Sequence, residues 1–332
     1  MIDFLLLGNG AMLPLPDRWL SSLLVRCEGE LTLFDCGEGT QIPWRRFGWG
    51  FRRVGAICLS HWHGDHVAGL PGVLLSLANA GRTEPVAIYG PEHTAQVVAG
   101  LRVVAPVLPF DVDIHELADG DTFELPGGLQ ASAIAGLHRV PSLVYRVGML
   151  RARRFDPDRA RSLSIPIELW RSLQRGESVA WPTGTATPDD VLGPDRPGIS
   201  FGFATDTRPL PTMPPFFDGV DLLISEGTYG DPADLPKAIQ NRHMTFAEAA
   251  TLARDSHART LWLTHFSPAL EDPAAYLDQA TAIFPETTLG YSGLTGALKF
   301  SDDDPTTPTQ PAKSPTAPPE TASRPGPAPR RT

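Results

Sequence analysis

Three histidines and one aspartate fall within the six residues from His61 to His66, and this cluster most constrains what the chain can fold into. The apolar run 54–59 before it predicts a buried strand. The run 67–77 after it predicts a helix that Pro71 can break or kink. The cluster would then lie on a loop just past the carboxyl end of a strand, where α/β folds bind ligands.

The four side chains of the cluster favour a metal site over a structural role. Alternate residues on a turning loop point in different directions, so His61 and His63 can bind one ion while Asp65 and His66 bind a second. Imidazole with carboxylate suits Zn²⁺, and less often Fe or Mn. As core residues, four such polar groups would pack poorly and leave unpaired polar atoms.

Length and composition allow one large α/β domain, and two domains also fit 332 residues. No apolar run is long enough to span a membrane. The N-terminal residues 1–8 lack a basic segment and predict a first strand rather than a signal peptide. Three cysteines, Cys27, Cys36 and Cys58, lie in or beside apolar runs, which predicts buried thiols and a reducing cytoplasm.

Charge is distributed unevenly along the chain. Residues 139–175 contain nine arginines and three acidic residues, a net charge of +6, so the remainder carries −16 of the total of −10. A basic block on an acidic body is a candidate phosphate-binding surface. A solvated helix face would give the same composition and stays open as the alternative.

The last 32 residues differ in composition from the rest of the chain. From residue 301 to 332 there are nine prolines and no aromatic residue. Such a segment buries too little apolar surface to offset the entropy of ordering. We therefore expect a catalytic domain over 1–300 and a disordered Pro-rich tail over 301–332, which either is only solvated or offers a short PxxP motif to an adaptor.

Three residues further along complete the expected metal ligands. His138, Asp206 and His265 each follow an apolar run that predicts a strand. A carboxylate such as Asp206 can bridge two cations, the geometry of two-metal phosphoester chemistry. His93, His115 and His257 lie in other contexts and are left out of the site.

At this point the chain resembles the metallo-β-lactamase superfamily and, within it, the ribonuclease Z family. The resemblance covers about residues 2–300. It rests on the following motifs: Asp35-Cys36-Gly37-Glu38-Gly39-Thr40-Gln41, His61-x-His63-x-Asp65-His66, His138, Thr205-Asp206-Thr207, Ser225-Glu226-Gly227-Thr228-Tyr229, His243-Met244-Thr245 and Thr264-His265-Phe266-Ser267. The resemblance implies a four-layer αββα sandwich with an inserted basic arm.

The resemblance also implies a role for each site residue. One zinc would be held by His61, His63 and His138, a second by Asp65, His66 and His265, and Asp206 would bridge both. The family's RNA-binding arm corresponds to about 151–198 here. Its candidate RNA-binding arginines are Arg151, Arg153, Arg154, Arg159 and Arg161.

The expected activity is removal of the 3′ trailer from precursor tRNA by a zinc-dependent, homodimeric endoribonuclease. It would leave a 3′-hydroxyl on the tRNA and a 5′-phosphate on the trailer. Asp65 would accept a proton from the nucleophile, and His243, oriented by Glu226, would protonate the leaving oxygen. A hydrolase of small phosphodiesters or other esters is the alternative. An RNA-binding scaffold without catalysis is disfavoured because all seven ligands are present.

Overall fold

The computed structural model describes residues 1–301, in which two seven-stranded sheets lie face to face between two layers of helices. The first sheet has the order β16-β1-β2-β3-β4-β5-β6. Its strands are β1 (Ile2–Gly8), β2 (Ser22–Cys27), β3 (Glu30–Phe34), β4 (Val54–Cys58), β5 (Val86–Gly90), β6 (Val112–Glu116) and β16 (Thr295–Leu298).

The second sheet has the order β15-β14-β13-β12-β9-β8-β7. Its strands are β7 (Thr122–Leu125), β8 (Leu129–Ala135), β9 (Leu143–Arg151), β12 (Arg196–Ala204), β13 (Leu222–Glu226), β14 (Leu261–Thr264) and β15 (Thr287–Leu289). Strands β3 to β6 are parallel to one another, and so are β12 to β15. Each sheet therefore has a block of four parallel strands whose carboxyl ends can carry a site.

The α-helices within residues 1–301 are α1 (Gln41–Phe47), α2 (Gly64–Val67), α3 (Leu70–Asn79), α4 (Thr94–Leu101), α5 (Pro157–Ser162), α6 (Trp170–Gln174), α7 (Met213–Phe216), α8 (Leu235–Asn241), α9 (Phe246–Asp255) and α10 (Asp278–Thr281). Several of them, such as α3 and α9, cover the outer faces of the two sheets. Among residues 1–301, no helix combines the length and the apolar character needed to cross a membrane.

Three buried clusters join these layers. Between the sheets, Phe34 makes edge-on contacts with Tyr145 and Phe201 of the opposite sheet, with ring centroids 5.9 and 5.6 Å apart. Outside the first sheet, α3 buries residues such as Leu74, and outside the second sheet α9 buries residues such as Phe246. The four-layer αββα arrangement predicted from the sequence is therefore confirmed.

Three local sequence signals can be compared with the structure. The sequence Glu28-Gly29-Glu30 is typical of a hairpin turn, and β2 and β3 are joined there, with Glu28 and Gly29 both at positive φ. Thr245 and Glu248 have the spacing of a capping box, and a capping box starts α9. The helix predicted over 67–77 with a break or kink at Pro71 is interrupted before that residue: α2 ends at Val67, and Pro71 lies in the first turn of α3, where a missing N–H costs nothing.

The segment between β9 and β12 forms a small subdomain of its own. It contains α5, α6 and the two-stranded sheet β10 (Val179–Trp181) and β11 (Gly184–Ala186). Five buried residues form its core: Ala160, Ile165, Leu173, Ala186 and Val191. We call this segment, residues 151–198, the arm. The predicted tail, apart from Ser301, lies outside the described residues.

Candidate metal centre

Three polar residues at the ends of strands have a backbone conformation that side chains rarely adopt. Asp35 follows β3 with φ 55°, Asp206 follows β12 closely with φ 49°, and His265 follows β14 with φ 59°. Positive φ is costly for residues other than glycine and persists only where the surrounding structure imposes it. The strand ends thus store strain at the point where the two parallel blocks meet.

Four side chains form a first ligand group. They are His61, His63, His138 and Asp206, and one ligand atom of each lies within 4.8 Å of the others. The Nδ1 atom of His63 lies 3.0 Å from His61 Nε2 and 3.1 Å from His138 Nε2. Asp206 Oδ1 completes the group, 3.6 Å from both Nε2 atoms.

The second group uses the other oxygen of the same aspartate. Asp206 Oδ2 lies 3.0 Å from the Nε2 atoms of both His66 and His265, which are themselves 3.1 Å apart. Asp65 Oδ2 lies 3.6 and 3.5 Å from the same two nitrogens. Asp206 therefore faces one group with each of its carboxylate oxygens, which is the arrangement that a bridging ligand would require.

The donor set fits two divalent cations. Asp206 Oδ2 is buried without a hydrogen-bond partner among the described residues, although two imidazole nitrogens lie beside it. An isolated buried carboxylate oxygen is costly, and a cation would satisfy it. A tetrahedral zinc at about 2.0–2.1 Å from its ligands places neighbouring ligands roughly 3.3–3.4 Å apart, close to the spacings found here.

Burial keeps the first group's imidazoles in the form that binds metals. It lowers the pKa of His61 well below its usual value and the pKa of His138 to about 4. Burial also lowers the pKa of His63. A neutral imidazole has a free lone pair, which is the form that ligates Zn²⁺.

On the first sheet, Asp35 and Ser60 fix the imidazole rings from behind. Asp35 Oδ2 accepts from His66 Nδ1 at 2.7 Å and from Ser60 Oγ at 2.9 Å. Ser60 Oγ in turn lies 3.0 Å from His61 Nδ1. With Nδ1 of both rings engaged, Nε2 points to the ligand groups, and such partners orient metal-binding histidines.

The second sheet repeats this arrangement with Glu226 and Thr228. Thr228 Oγ1 donates to Glu226 Oε2 at 2.6 Å and lies 3.1 Å from His265 Nδ1. Glu226 is fully buried and also accepts from the backbone N–H groups of Thr207 and Met244 at 2.7 and 2.9 Å. Each sheet thus supplies one carboxylate and one hydroxyl that hold a ligand histidine.

His243 lies beside the ligand groups but is oriented differently. Its Nδ1 lies 3.2 Å from Glu226 Oε2 and 3.7 Å from Asp206 Oδ1. Burial by itself would lower the pKa of His243, but the Glu226 and Asp206 carboxylates outweigh burial and raise it to about 9. A ring whose Nδ1 donates to Glu226 presents Nε2 on its opposite side, which is the arrangement that a proton donor requires.

Some functional residues were missed by sequence reasoning. Asp35 lies in a family motif that gives it no role, whereas Ser60 and Thr228 neighbour predicted site residues in sequence, and this proximity is a signal for them. Met12 gave no signal at all. Its backbone N–H donates to Asp65 Oδ2 at 2.7 Å, from a residue with φ 62°.

Glycines allow the metal-binding loop to approach the first sheet. A Cβ on Gly37 would lie 2.3 Å from the backbone oxygen of Asp65, and a Cβ on Gly69 would lie 2.0 Å from Gly37 O. Any side chain at these two positions would push the loop that carries Asp65 away from β3. The close approach of these two backbone segments therefore explains why residue 37, directly after Asp35-Cys36, is a glycine.

The three histidines excluded from the site lie outside both ligand groups. His93 precedes α4 and is exposed, and His115 stacks on Tyr89 with ring centroids 4.8 Å apart. His257 pairs with Asp218 at 2.8 Å after α9. The prediction of buried thiols is confirmed, since Cys27, Cys36 and Cys58 are all buried and free.

Some of the arm's arginines already form hydrogen bonds and ion pairs with other groups of the arm. Arg153 donates to the backbone oxygens of Gly193 and Leu192 and to Asp189 at 2.6 Å. Arg161 pairs with Asp158 at 2.7 Å. Across 151–198, eight arginines face seven carboxylates, a net charge of only +1. The net charge of the arm is therefore too small to attract a polyanion by itself, and the placement of its exposed arginines matters more.

Comparison with known proteins agrees with this geometry. Residues 32–195 match the family described as a β-lactamase superfamily domain. A ribonuclease Z of Lachnoclostridium phytofermentans is 42% identical over 304 residues, which cover 92% of this chain and 100% of the relative. A ribonuclease Z of Lachnospira eligens is 41% identical over 91% of this chain and 100% of the relative.

A solved structure supports the fold. The short form of human tRNase Z superimposes with a TM-score of 0.65 at 24% identity, covering 90% of this chain and 99% of that one. The two sheets and the histidine–aspartate groups define a metallo-β-lactamase fold of the kind that binds divalent metals. More specifically, the chain belongs to the ribonuclease Z family, which confirms the family predicted from its motifs.

Proposed function

We propose that this protein is a zinc-dependent endoribonuclease that removes the 3′ trailer from precursor tRNA. Relatives named ribonuclease Z match it over their whole length. The observation that carries the proposal is the sharing of Asp206 between two buried ligand groups, with the His243–Glu226 pair next to them. Two cations about 3.5–4 Å apart are typical of phosphodiester hydrolysis.

Seven residues would hold the two zinc ions. They are His61, His63, His138, Asp65, His66, His265 and the shared Asp206. When bound, the ions supply positive charge for the phosphate oxygens and make water a nucleophile near neutral pH. Elemental analysis of the purified protein should find two zinc ions per chain, and activity with one ion or none would contradict the assignment.

Asp65 is placed to accept a proton from the attacking water. Its Oδ2 atom already accepts from Met12 N–H and faces His66 and His265. Its Oδ1 atom is then the oxygen available to the water. The side chain is 11% exposed, so it is not fully closed off from water.

His243 is the proton donor to the leaving group. The water oxygen forms a bond to phosphorus while the bond from phosphorus to the ribose 3′-oxygen breaks, and that oxygen takes the proton of His243 Nε2. Glu226 holds Nδ1 of the same ring and keeps the imidazolium charged. The products are a 3′-hydroxyl on the tRNA and a 5′-phosphate on the trailer.

The arm would bind the tRNA body through its exposed arginines. Arg154, Arg159 and Arg161 are exposed on and beside α5, and Arg151 lies at the base of the arm. Arg153 mainly holds the arm together, through Asp189 and two backbone oxygens. Arginine binds phosphates through two parallel hydrogen bonds, so it is suited to this role.

A homodimer in the cytoplasm completes the proposal, with the arm of one subunit presenting RNA to the metal centre of the other. Free buried cysteines support a reducing compartment. The dimer can be tested by mixing an arm-mutated chain with an Asp65→Ala chain. Each should cleave precursor tRNA poorly by itself, and a mixture that regains part of the activity requires contributions from two subunits.

One assay tests the proposed substrate. Purified protein is incubated with labelled precursor tRNA, and the product ends are mapped at nucleotide resolution beside turnover of bis-p-nitrophenyl phosphate. We expect a single cut after the tRNA body with the end groups given above. Fast turnover of the small ester together with slow or scattered RNA cleavage would favour the alternative, a hydrolase of small esters.

A further inference from the structure

We propose that Arg208 is a positioning residue that sets the place of His243, and hence the proton donation to the leaving oxygen. The proposal rests on the proposed function, in which His243 protonates the 3′-oxygen. Arg208 touches neither ligand group, and the sequence motifs gave it no role. Its contacts nevertheless join the segment that carries Asp206 to the segment that carries His243.

The contacts of Arg208 form a clamp on two neighbouring backbone segments. Its Nη1 donates to the backbone oxygen of His243 at 2.5 Å and to Glu248 Oε2 at 2.9 Å. Its Nη2 donates to Glu248 Oε1. The side chains of Arg208 and Glu248 are only 16% and 22% exposed. Two parallel, partly buried, charge-assisted hydrogen bonds fix both partners more strongly than a surface ion pair does.

The clamp supplies the hydrogen-bond partner of the His243 carbonyl, next to the N–H of Met244, which donates to Glu226 Oε2. His243 lies between α8 and α9, directly after Arg242 at φ 62°. Its N–H donates to Ala238 O at 2.9 Å, and Glu226 holds its ring. Without Arg208, the His243 carbonyl loses its partner, and the ring can shift by a fraction of an ångström relative to the substrate.

The clamp also fixes the distance from His243 to the metal groups. Asp206, Thr207 and Arg208 are consecutive, and each contacts a different part of the site. Asp206 serves both ligand groups, Thr207 N–H donates to Glu226 Oε1 at 2.7 Å, and Arg208 holds His243. One three-residue segment thereby fixes the proton donor relative to the shared ligand.

Glu248 offers a way to separate the clamp from helix stability. Glu248 Oε2 accepts from the backbone N–H of Thr245 at 2.9 Å, as part of the capping box of α9. Glutamine also serves in a capping box. Glu248→Gln therefore keeps the cap of α9 but removes the charge that anchors Arg208.

The test compares two precursor tRNAs that differ in one atom. In the second, sulfur replaces the 3′-oxygen that leaves, so the leaving group needs no proton while all RNA contacts stay the same. Arg208→Gln should lower kcat for the ordinary precursor by about 10- to 100-fold, the cost of misplacing a reacting group by up to about 1 Å. With the sulfur substrate it should cleave close to the wild-type rate, as His243→Ala should.

A double-mutant cycle shows whether Arg208 acts through His243. In the His243→Ala background, Arg208→Gln should lower kcat for the ordinary precursor by no more than about twofold. Arg208→Lys and Glu248→Gln should give intermediate losses with the same preference for the sulfur substrate. Arg26→Gln is the matched control, since it removes a partly buried ion pair with Asp3 (2.9 Å) and should leave both rates unchanged.

The outcomes distinguish this inference from the proposed function. The clamp would be overturned if Arg208→Gln lowered kcat equally for both substrates. It would also be overturned if the fold-loss in kcat of the double mutant equalled the product of the two single losses. Either result would leave precursor cleavage and the role of His243 intact. If His243→Ala cleaves the ordinary precursor like wild type, the role of His243 falls and the clamp with it. Zinc content and melting temperature are measured for each variant, so that a variant that fails to fold is replaced by Arg208→Lys.

Discussion

The metal centre and the arm are built in opposite ways. In the metal centre, His61, His66 and His265 are fully buried, and each ring is held from behind by a hydroxyl or a carboxylate. In the arm, a core of five buried residues supports exposed arginines, several of them paired with nearby acids. The side chains of the centre are thus held by buried hydrogen bonds, whereas the arginines of the arm project from a small core towards solvent.

This difference separates chemistry from substrate choice. Any small phosphodiester that reaches the centre meets the same ligand groups, so changes there should affect all substrates alike. Changes on the arm should affect only a substrate long enough to reach it. Four changes to the protein test whether the metal centre governs turnover and the arm governs RNA binding. They follow from the largest expected effect to the smallest.

Removal of the metals should abolish hydrolysis of both precursor tRNA and bis-p-nitrophenyl phosphate. It should also lower the melting temperature, because the buried Asp206 carboxylate would lose its cations. Each site contributes about 4 kcal/mol at a metal concentration a thousand times Kd. Calorimetry before and after chelation measures this, with zinc added back as the control. An unchanged melting temperature would contradict the ligand assignment.

Asp65→Ala should lower the turnover of both substrates by at least about 10²-fold, because it removes a proton acceptor as well as a ligand. Binding of precursor tRNA should stay nearly unchanged, since the proposed phosphate contacts lie on the arm. Single-turnover cleavage and a filter-binding assay measure the two quantities. A variant that cleaves at nearly the wild-type rate would remove Asp65 from the mechanism.

Asp35→Asn should weaken metal binding by about 10- to 100-fold, because the partner of His66 Nδ1 loses its charge. Both substrates should be affected equally, and excess zinc should restore turnover. Chelator competition measures the affinity. Asp113→Asn, on an exposed part of β6, is a matched control that should keep wild-type metal affinity. If only the turnover of precursor tRNA fell, the metal centre would also affect substrate choice, contrary to the comparison above.

Replacing Arg154, Arg159 and Arg161 with Ser should weaken precursor tRNA binding and leave turnover of the small ester unchanged. For every phosphate that is no longer neutralised by an arginine, the log–log salt dependence should become shallower by roughly 0.7–0.9. Replacing Arg45, Arg46 and Arg254, which are also exposed, makes the same change in net charge elsewhere. If both triple replacements weakened binding equally, only the net charge would matter. The arginine block would then be a solvated surface and not an RNA-binding site.

Local spacing in the sequence predicted much of the fold and the site. The residues from His61 to His66 determined a dense ligand loop after a strand, and the motifs around Asp206 and His265 placed further ligands at strand ends. These signals worked because a strand end has a defined position in an α/β fold, whatever the rest of the chain does. The resemblance to a family then supplied the assignment of ligands to two groups.

Only the tertiary structure decided how distant segments complete the site. Arg208 and His243 are 35 residues apart, and the hydrogen bond from Met12 to Asp65 spans 53 residues, with no periodicity to connect them. Acidic residues such as Asp189 follow the arginine block in sequence but neutralise Arg153 in space. Chain order records which groups exist. Packing decides which of them meet, because hydrogen bonds and charges act over a few ångströms in space regardless of separation along the chain.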